Sequence, residues 1–155
     1  MLRRHLLVVA ASGGIAPAFA HHGWSSFDTS RPIYLEGLAG AVRWRNPHAE
    51  LELDVRPDLK LPEDFAQLPL PAQTAPVDGP ALLAKAVLPK RKDKRWTVEL
   101  APLTRMQAWG ITPIETGASV ALVGYTFAGE RGEPVVRVEY LFVDGRIAGL
   151  RSSPA

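Results

Sequence analysis

The sequence contains no cysteine and only two methionines among its 155 residues. The lack of cysteine excludes disulfides, zinc–thiolate sites and cysteine nucleophiles. Met106 is the only methionine after the first residue, which disfavours a methionine-rich Cu(I) site because such sites need several thioether ligands. No P-loop, dinucleotide-binding fingerprint or nucleophile elbow occurs. No apolar run reaches the length of about 20 residues that a transmembrane helix requires.

The chain also has little net charge. Eighteen lysines and arginines against 16 acids give a formal charge of +2, and two of the arginines lie in the first twenty residues. A chain without those twenty residues is formally neutral, so it lacks the basic footprint of a nucleic-acid-binding protein. The hydrophobic content of 46% and charged content of 22% are typical of a single globular domain.

The first twenty residues have the pattern of a cleaved signal peptide. Arg3 and Arg4 precede the apolar run 6–16, and Ala18-Phe19-Ala20 resembles a signal-peptidase site. We therefore expect residues 1–20 to be removed, His21 to begin the mature chain and the protein to be periplasmic. Sec export is expected, with the twin-arginine route as the alternative.

Alternating apolar and polar residues predict a mostly β protein. Ala49, Leu51, Leu53 and Val55 share one strand face, and His48 falls on the polar face beside a turn. Strands are predicted over residues 34–45, 48–55 and 95–100, a turn and a strand over 115–127, a strand within 133–143, and a short final strand over 146–150 that folds back after Asp144-Gly145. A short helix is predicted over 103–110, capped by Thr104 and ended by Gly110.

This order predicts an all-β fold, an OB-like barrel of five to six strands with one short helix. A small β-sandwich is the alternative. Gly37 and Gly40 predict a bulged first strand in which Leu38 is in phase with Val42 and Trp44. In the fifth strand one face is predicted to hold Val136, Val138, Tyr140 and Phe142. The predicted core comprises Trp44, Trp96, Val98, Leu122, Val138 and Phe142.

Residues 21–155 are predicted to form one domain with a proline-rich insertion. Seven of the 14 prolines fall between residues 57 and 95, which indicates a long, partly extended loop. Residues 81–88 have the pattern of a short helix or strand. The basic run 90–95 is typical of a solvated face, with a lipid or protein contact as the alternative.

Three histidines remain after the leader: His21, His22 and His48. If His21 begins the chain, its α-amine and ring nitrogen can chelate one metal, and a further imidazole then completes a histidine brace. His48 is the natural third ligand and His22 the alternative. Nitrogen donors of this kind favour Cu(II), whereas Zn(II) is less favoured. The competing interpretation is a solvated amino terminus and a His48 that only stabilises a turn.

Acids close to these histidines have simpler interpretations. Glu50, Glu52 and Asp54 lie on the polar face of the second strand, where solvated carboxylates are expected and catalysis is disfavoured. Asp28 is predicted to orient the imidazole of a metal-binding histidine without itself binding the metal.

Several stretches together resemble a known family. "AHHGWSSFD", "YLEGLAGAVRWRNPHAELELDV", "LTRMQAWGITPIETGASVALVGYTF" and "FVDGRI" are similar to motifs of the small exported bacterial proteins of family DUF6152, a family of unknown function. The resemblance implies an exported, OB-like protein. The positions of this chain that match the hallmark residues of the family are His21, His22, Asp28, Asn46-Pro47 and His48. The resemblance therefore implies that Asn46 supports the metal ligands without itself binding the metal. "ETGAS" departs from the family's Gly-Asp turn.

These observations predict an exported, non-enzymatic domain that binds a metal, Cu(II) in preference to zinc, through His21, His22 and His48. The alternative is a metal-free module in which the histidine–tryptophan segments bind a small molecule or a partner protein. Oxidative copper catalysis is a weaker third interpretation.

Overall fold

The computed structural model describes residues 23–155, and six strands and two helices form within that range. The strands are β1 (Ile33–Arg43), β2 (Glu50–Val55), β3 (Arg95–Glu99), β4 (Ser119–Tyr125), β5 (Val135–Val143) and β6 (Arg146–Gly149). The helices are α1 (Gly79–Lys85) and α2 (Leu103–Ala108).

The strands close into a barrel. The hydrogen-bonded order is β3-β2-β1-β4-β5-β6, and a parallel pairing of β3 with β5 joins the two sides of the sheet. Five strands therefore form a closed mixed barrel, with β6 as an extra strand on β5 and α2 between β3 and β4. The predicted all-β barrel is confirmed. The alternative β-sandwich is wrong because the β3–β5 pairing closes a single sheet on itself.

The alternation in β2 is confirmed. Leu51 and Leu53 are buried inside the barrel, whereas Glu50 and Glu52 lie on its outer face. Their outward position follows from the period of two in an extended strand. The rest of the barrel core agrees in part: the predicted residues Trp96, Val98, Leu122 and Val138 are fully buried, and Trp44 and Phe142 are half-buried.

Bulges change the phase of two strands. The register of β1 against β2 shifts between Ala39 and Val42, as the glycines predict. Ala39 points into the core before the shift and Val42 packs against it afterwards, while Leu38 is 54% exposed. The prediction that Leu38 is in phase with Val42 and Trp44 is therefore wrong, because the extra residue reverses the faces.

The second irregularity lies in β5. Val123 pairs with Tyr140 but Gly124 pairs with Val138, so Glu139 is the additional residue. Val136 and Val138 belong to the barrel core, whereas Tyr140 and Phe142 face a second apolar cluster outside it. The prediction of one shared face for these four residues is wrong for the same physical reason.

The helix between β3 and β4 begins differently from the prediction. Its first residue is Leu103 and its N-cap is Pro102, so Thr104 lies inside the helix and does not cap it. Gly110 follows the helix with a positive φ of 67°, which agrees with its predicted role as the terminator.

The insertion between β2 and β3 packs on the barrel. The centre of the insertion, for which a short helix or strand was predicted, forms helix α1. Val87, just beyond this helix, forms a parallel bridge with Ile33. Phe65 and Leu83 of the insertion are buried against Tyr34 of β1 and other residues of the second apolar cluster. Thus the insertion and the barrel strands share a second apolar cluster.

Over residues 23–155 none of the helices has both the length and the apolarity to cross a bilayer.

Candidate functional site

A row of charged side chains crosses the outer face of the barrel. Glu50 of β2 pairs in register with Glu99 of β3, which in turn pairs with Arg137 of β5. Because neighbours in register project to the same face of a sheet, these three side chains are adjacent outside the barrel. Arg43 forms an ion pair with Glu50 at one end of the row.

Glu99 and Arg137 are buried despite their outward direction. Their side chains are only 7% and 12% exposed, and Arg137 Nη1 lies 3.4 Å from Glu99 Oε2. Burial raises the pKa of the Glu99 carboxyl to about 7, an effect that Glu50 increases and Arg137 opposes. Burial also lowers the pKa of Arg137. The burial effect dominates because a charged group loses hydration when it leaves water.

A second buried carboxylate lies further along β5. Glu139 is completely buried, and its Oε2 accepts bonds of 3.0 Å and 2.6 Å from Nε and Nη2 of Arg151. Burial raises the pKa of Glu139, and the Arg151 guanidinium opposes that rise. Two hydrogen bonds to one carboxylate fix the plane of the guanidinium.

Trp24 contacts both of these arginines. The Arg151 guanidinium carbon is 3.7 Å from the centre of the Trp24 ring, and that of Arg137 is 4.7 Å away. Tyr125 meets the same ring edge-on at 6.3 Å. Trp24 begins a single 3₁₀ turn, Trp24–Ser26, and is its only residue that is not exposed. The start of the described chain is therefore attached to the charged row through one aromatic ring.

His48 lies next to this row. It precedes β2, is half-buried, and falls two residues before Glu50 on the strand. The backbone of Ala49 exchanges hydrogen bonds of 2.9 Å with Leu100 and Ala101, which continues the β2–β3 pairing to the His48 position. His48 lies two residues outside β2, so its place on the polar face that carries Glu50 stays a prediction from the alternation of the strand.

Asn46 has a structural contact in the same loop. Its Oδ1 accepts a 3.3 Å hydrogen bond from the backbone N–H of Leu103, one of the N–H groups that the first turn of α2 leaves without a helical partner. The Asn46–Pro47 peptide bond is cis. Asn46 thus joins the β1–β2 loop to α2 and lies close in sequence to His48, as predicted. Its supporting role toward a metal stays a prediction.

Asp28 lies on another side of the row. Its backbone N–H donates to Thr126 just after β4, and its Oδ1 accepts from both the N–H and the hydroxyl of Ser30. These bonds to Ser30 lower the pKa of Asp28. Three inter-strand spacings, about 14 Å along the sheet, separate the Thr126 end of β4 from the Glu50 position. The predicted contact of Asp28 with an imidazole stays a prediction.

The two remaining predicted ligands, His21 and His22, lie outside the described residues. Among residues 23–155 alone, no group of three or more histidine, cysteine or acidic side chains is arranged to hold a metal ion. A site of the predicted kind therefore depends on ligands from residues 21 and 22. The donor set of one amine and imidazoles fits Cu(II) chemically.

Four charged residues of this face were missed in the sequence: Glu99, Arg137, Glu139 and Arg151. Their spacing does contain a signal, because Arg137 alternates with Val136 and Val138 and so belongs on the outer face. What the spacing does not contain is the burial of that face, to which the contact of Trp24 with Arg137 contributes.

Comparisons with known proteins agree with the resemblance seen in the sequence. The family model of DUF6152, a family of unknown function, matches residues 8–63. This confirms the predicted family resemblance over the segment that includes the histidine pair, β1 and β2. No curated protein and no solved structure matches the chain.

Proposed function

We propose that this chain is an exported, non-enzymatic domain that binds Cu(II) at a histidine-brace-like site. The α-amine and ring of His21, with His48 and with His22 close by, would supply the nitrogen ligands. Zinc is the less favoured metal, because amine and imidazole donors bind copper more tightly in the Irving–Williams order.

The observation that carries the proposal is the position of Trp24. It contacts Arg137, which is in register with Glu99 and Glu50, and His48 lies two residues before Glu50. Two inter-strand spacings and two residues along a strand put the His48 and Arg137 backbones about 12 Å apart. His21 precedes Trp24 by three residues, and three residues span at most about 10 Å. The proposal therefore requires the side chains of His21 and His48 to span the distance that three residues of chain leave open.

Export is part of the proposal because the ligand set depends on it. Only removal of residues 1–20 would give His21 a free amine, since an internal His21 has an amide nitrogen instead. The apolar leader and its Ala-Phe-Ala end support this processing.

The test is a Cu(II) titration of protein produced with its leader, followed by electron paramagnetic resonance (EPR). Mass spectrometry first establishes that His21 is the first residue. Wild type is compared with His48→Ala and with a form that carries one extra glycine before His21. We expect tight binding with nitrogen hyperfine structure in wild type and weaker binding in both variants. Equal, weak binding in all three proteins contradicts the proposal.

A second candidate function, a metal-free module for a small ligand, is favoured by a separate cleft. It has a volume of about 310 Å³ and lies where β2 and β3 meet the insertion. Trp96, Leu35 and Val55 contribute apolar lining, and Lys92 and Lys94 are among four cationic residues around it. Such a cleft suits a small amphipathic anion. Saturable binding of an anionic amphiphile by the metal-free protein, lost in Lys94→Glu but retained in Lys60→Glu, would favour this function.

A further inference from the structure

We propose that one end of the barrel binds a small amphipathic carboxylate, and that Glu130 is the positioning residue that holds the cationic wall of this site. The site is the cleft of about 310 Å³ between the barrel and the insertion. The inference rests on the second candidate function, the binding of a small ligand in that cleft, and is independent of the copper site. It adds the chemical class of the ligand and a residue outside the cleft on which binding depends.

The floor of the cleft belongs to the barrel itself. Leu35 and Trp96 are almost fully buried members of the barrel core, and Val55 packs against that core. Val55 ends β2, Trp96 is the second residue of β3, and Leu35 is the third residue of β1. Because β2 is antiparallel to β1 and to β3, these three residues lie at the same end of the barrel. The cleft is therefore a barrel mouth, which is a common place for a small-ligand site.

The rim of the cleft carries two cations that are not neutralised. Arg56 and Arg91 form ion pairs with neighbouring acids, and Asp93, the only acid among the lining residues, is the partner of Arg91. Lys92 and Lys94 are exposed, and no carboxylate in the described part of the chain forms an ion pair with either of them. Two free ammonium groups beside an apolar floor favour a ligand with an anionic head and a short apolar tail.

The charge balance of the rim favours a carboxylate head. The two arginines pair with three acids in total, so the four cations of the lining leave one net positive charge. A monoanionic carboxylate matches this charge better than a dianionic phosphate does. The volume lies at the lower end of the range of about 300–1,000 Å³ for small-molecule sites, so the tail is short.

The cationic wall is attached to the β4–β5 loop through Glu130. The Glu130 side chain is 6% exposed, and its two oxygens accept bonds of 3.0 Å and 2.9 Å from the backbone N–H of Lys90 and one of 2.9 Å from that of Arg91. It also forms an ion pair with Arg31, whose Nη2 donates to the backbone oxygen of Leu88 at 3.3 Å. One carboxylate therefore fixes the chain directly before the two unpaired lysines.

The backbone of Glu130 indicates that its carboxylate is needed. Its φ of 54° lies in the left-handed region, which favours glycine, and Gly129 and Gly132 in the same loop also have positive φ angles. A glutamate persists in this conformation only where other contacts compensate for the strain. The bonds to Lys90 and Arg91 are such contacts.

The first experiment is a calorimetric titration of the full chain with octanoate. We expect saturable binding of octanoate and weaker binding of 1-octanol, which lacks the charge, of acetate, which lacks the tail, and of octyl phosphate, which carries a higher charge. Nuclear magnetic resonance (NMR) locates the site. The indole N–H signal of Trp96 should shift on binding, whereas that of Trp109, which bonds to the backbone oxygen of Ser152, should not.

The second experiment tests Glu130, with Glu133→Gln as the matched control, because Glu133 is an exposed acid in the same loop. Loss of a nearby negative charge should by itself strengthen anion binding, and Glu133→Gln should show this effect or none. Glu130→Gln should instead weaken octanoate binding about fivefold, because apparent affinity falls with the fraction of molecules in which the wall is in place. In the ligand-free variant the N–H groups of Lys90 and Arg91 should exchange faster, while the barrel amides are unchanged.

A further variant separates positioning from a loss of stability. Glu130→Gly removes the carboxylate but relaxes the left-handed backbone, so it should stay folded and bind octanoate as weakly as Glu130→Gln does. If both variants bind as tightly as Glu133→Gln, the positioning role is overturned and the cleft stands as a ligand site. If 1-octanol, acetate or octyl phosphate binds as tightly as octanoate, the ligand class is wrong. If no probe shifts the Trp96 signal, the second candidate function is overturned together with this inference.

Discussion

Glu99 and Arg137 occupy paired positions on the parallel strands β3 and β5, and their side chains are 3.4 Å apart on the outer face of the barrel. This pairing coincides with the contact that closes the barrel. The carboxylate of Glu99 and the guanidinium of Arg137 are thus largely shielded from water on the outer face of the barrel, whereas the outer face of such a sheet is normally hydrated. The energetic consequences of that burial are open to measurement.

The first prediction concerns the pH dependence of stability. The pKa of Glu99 is raised to about 7, so the folded state binds its proton more tightly than the unfolded chain does. The stabilising effect of that proton is complete at pH values below the ordinary glutamate pKa and is lost as the pH rises to 7. Over this pH range we expect the free energy of unfolding of wild type to fall by an amount on the order of 2 kcal/mol, once solvent screening is allowed for. Glu99→Gln should not show this fall, because glutamine does not titrate.

Urea unfolding at pH 4.5, 5.5, 6.5 and 7.5 measures this slope. Glu52→Gln is the control, because its side chain is 43% exposed on the same sheet face. Parallel pH profiles for wild type and Glu99→Gln would show that burial of Glu99 does not perturb its titration.

The second prediction concerns Arg151. Its removal leaves the fully buried Glu139 without the guanidinium that bonds to it. An uncompensated buried charge is costly, so Arg151→Ala should lower the free energy of unfolding by about 3 kcal/mol at neutral pH. Arg95→Ala, which breaks an exposed ion pair with Asp54, should unfold close to wild type. Equal effects of the two substitutions in urea unfolding would contradict this account.

The third prediction tests the close approach of β1 and β2. A Cβ added at Gly37 would lie 2.0 Å from the backbone oxygen of Asp54, so the strands would have to separate. Gly37→Ala should therefore cost more than about 2 kcal/mol. Gly40→Ala is the matched control on the same strand, since its nearest contact is an ordinary 3.4 Å, and it should stay within about 0.5 kcal/mol of wild type. Thermal unfolding of both variants is the measurement.

The fourth prediction concerns the insertion. Phe65 is 4% exposed and lies 4.9 Å from the Tyr34 ring in an edge-on contact. Phe65→Ala should lower the free energy of unfolding by about 3 kcal/mol, because it leaves a cavity between the insertion and the barrel. Leu38→Ala removes an exposed apolar side chain and should have little effect. If chemical unfolding of Phe65→Ala matches that of wild type, the insertion does not contribute to the cooperative fold.

Local alternation was enough to predict the barrel, and its failures have a common cause. β2 has a strict period of two, and every face assignment within it is correct. In β1 and β5 one extra residue reverses the faces, so Leu38 is exposed and Tyr140 faces the second cluster. The glycines signalled the first bulge. Nothing in the sequence around Glu139 signalled the second, because a bulge is determined by the partner strand.

The candidate site shows a different limit. His48 was singled out because its residue type and the turn beside it are local features, and Asn46 because of the family resemblance. The roles of both stay predictions. Glu99 and Arg137 were not singled out, since their burial depends on tertiary contacts such as that of Arg137 with Trp24, which lie more than 100 residues apart in sequence. Propensity and period describe neighbours along the chain, whereas coverage of a sheet face is a tertiary property.

The contact between the carboxyl-terminal tail and the insertion has a consequence for the order of synthesis. Thr74 donates its backbone N–H to Ser153, and Gln73 accepts from Ser152, 79 residues later in the chain. At ribosomal rates of about 5–20 residues per second, these partners are translated roughly 4–16 seconds after the insertion residues that they bind. During that interval its proline-rich sequence has no tail to pair with. Residues translated later therefore complete the attachment of the insertion to the rest of the fold.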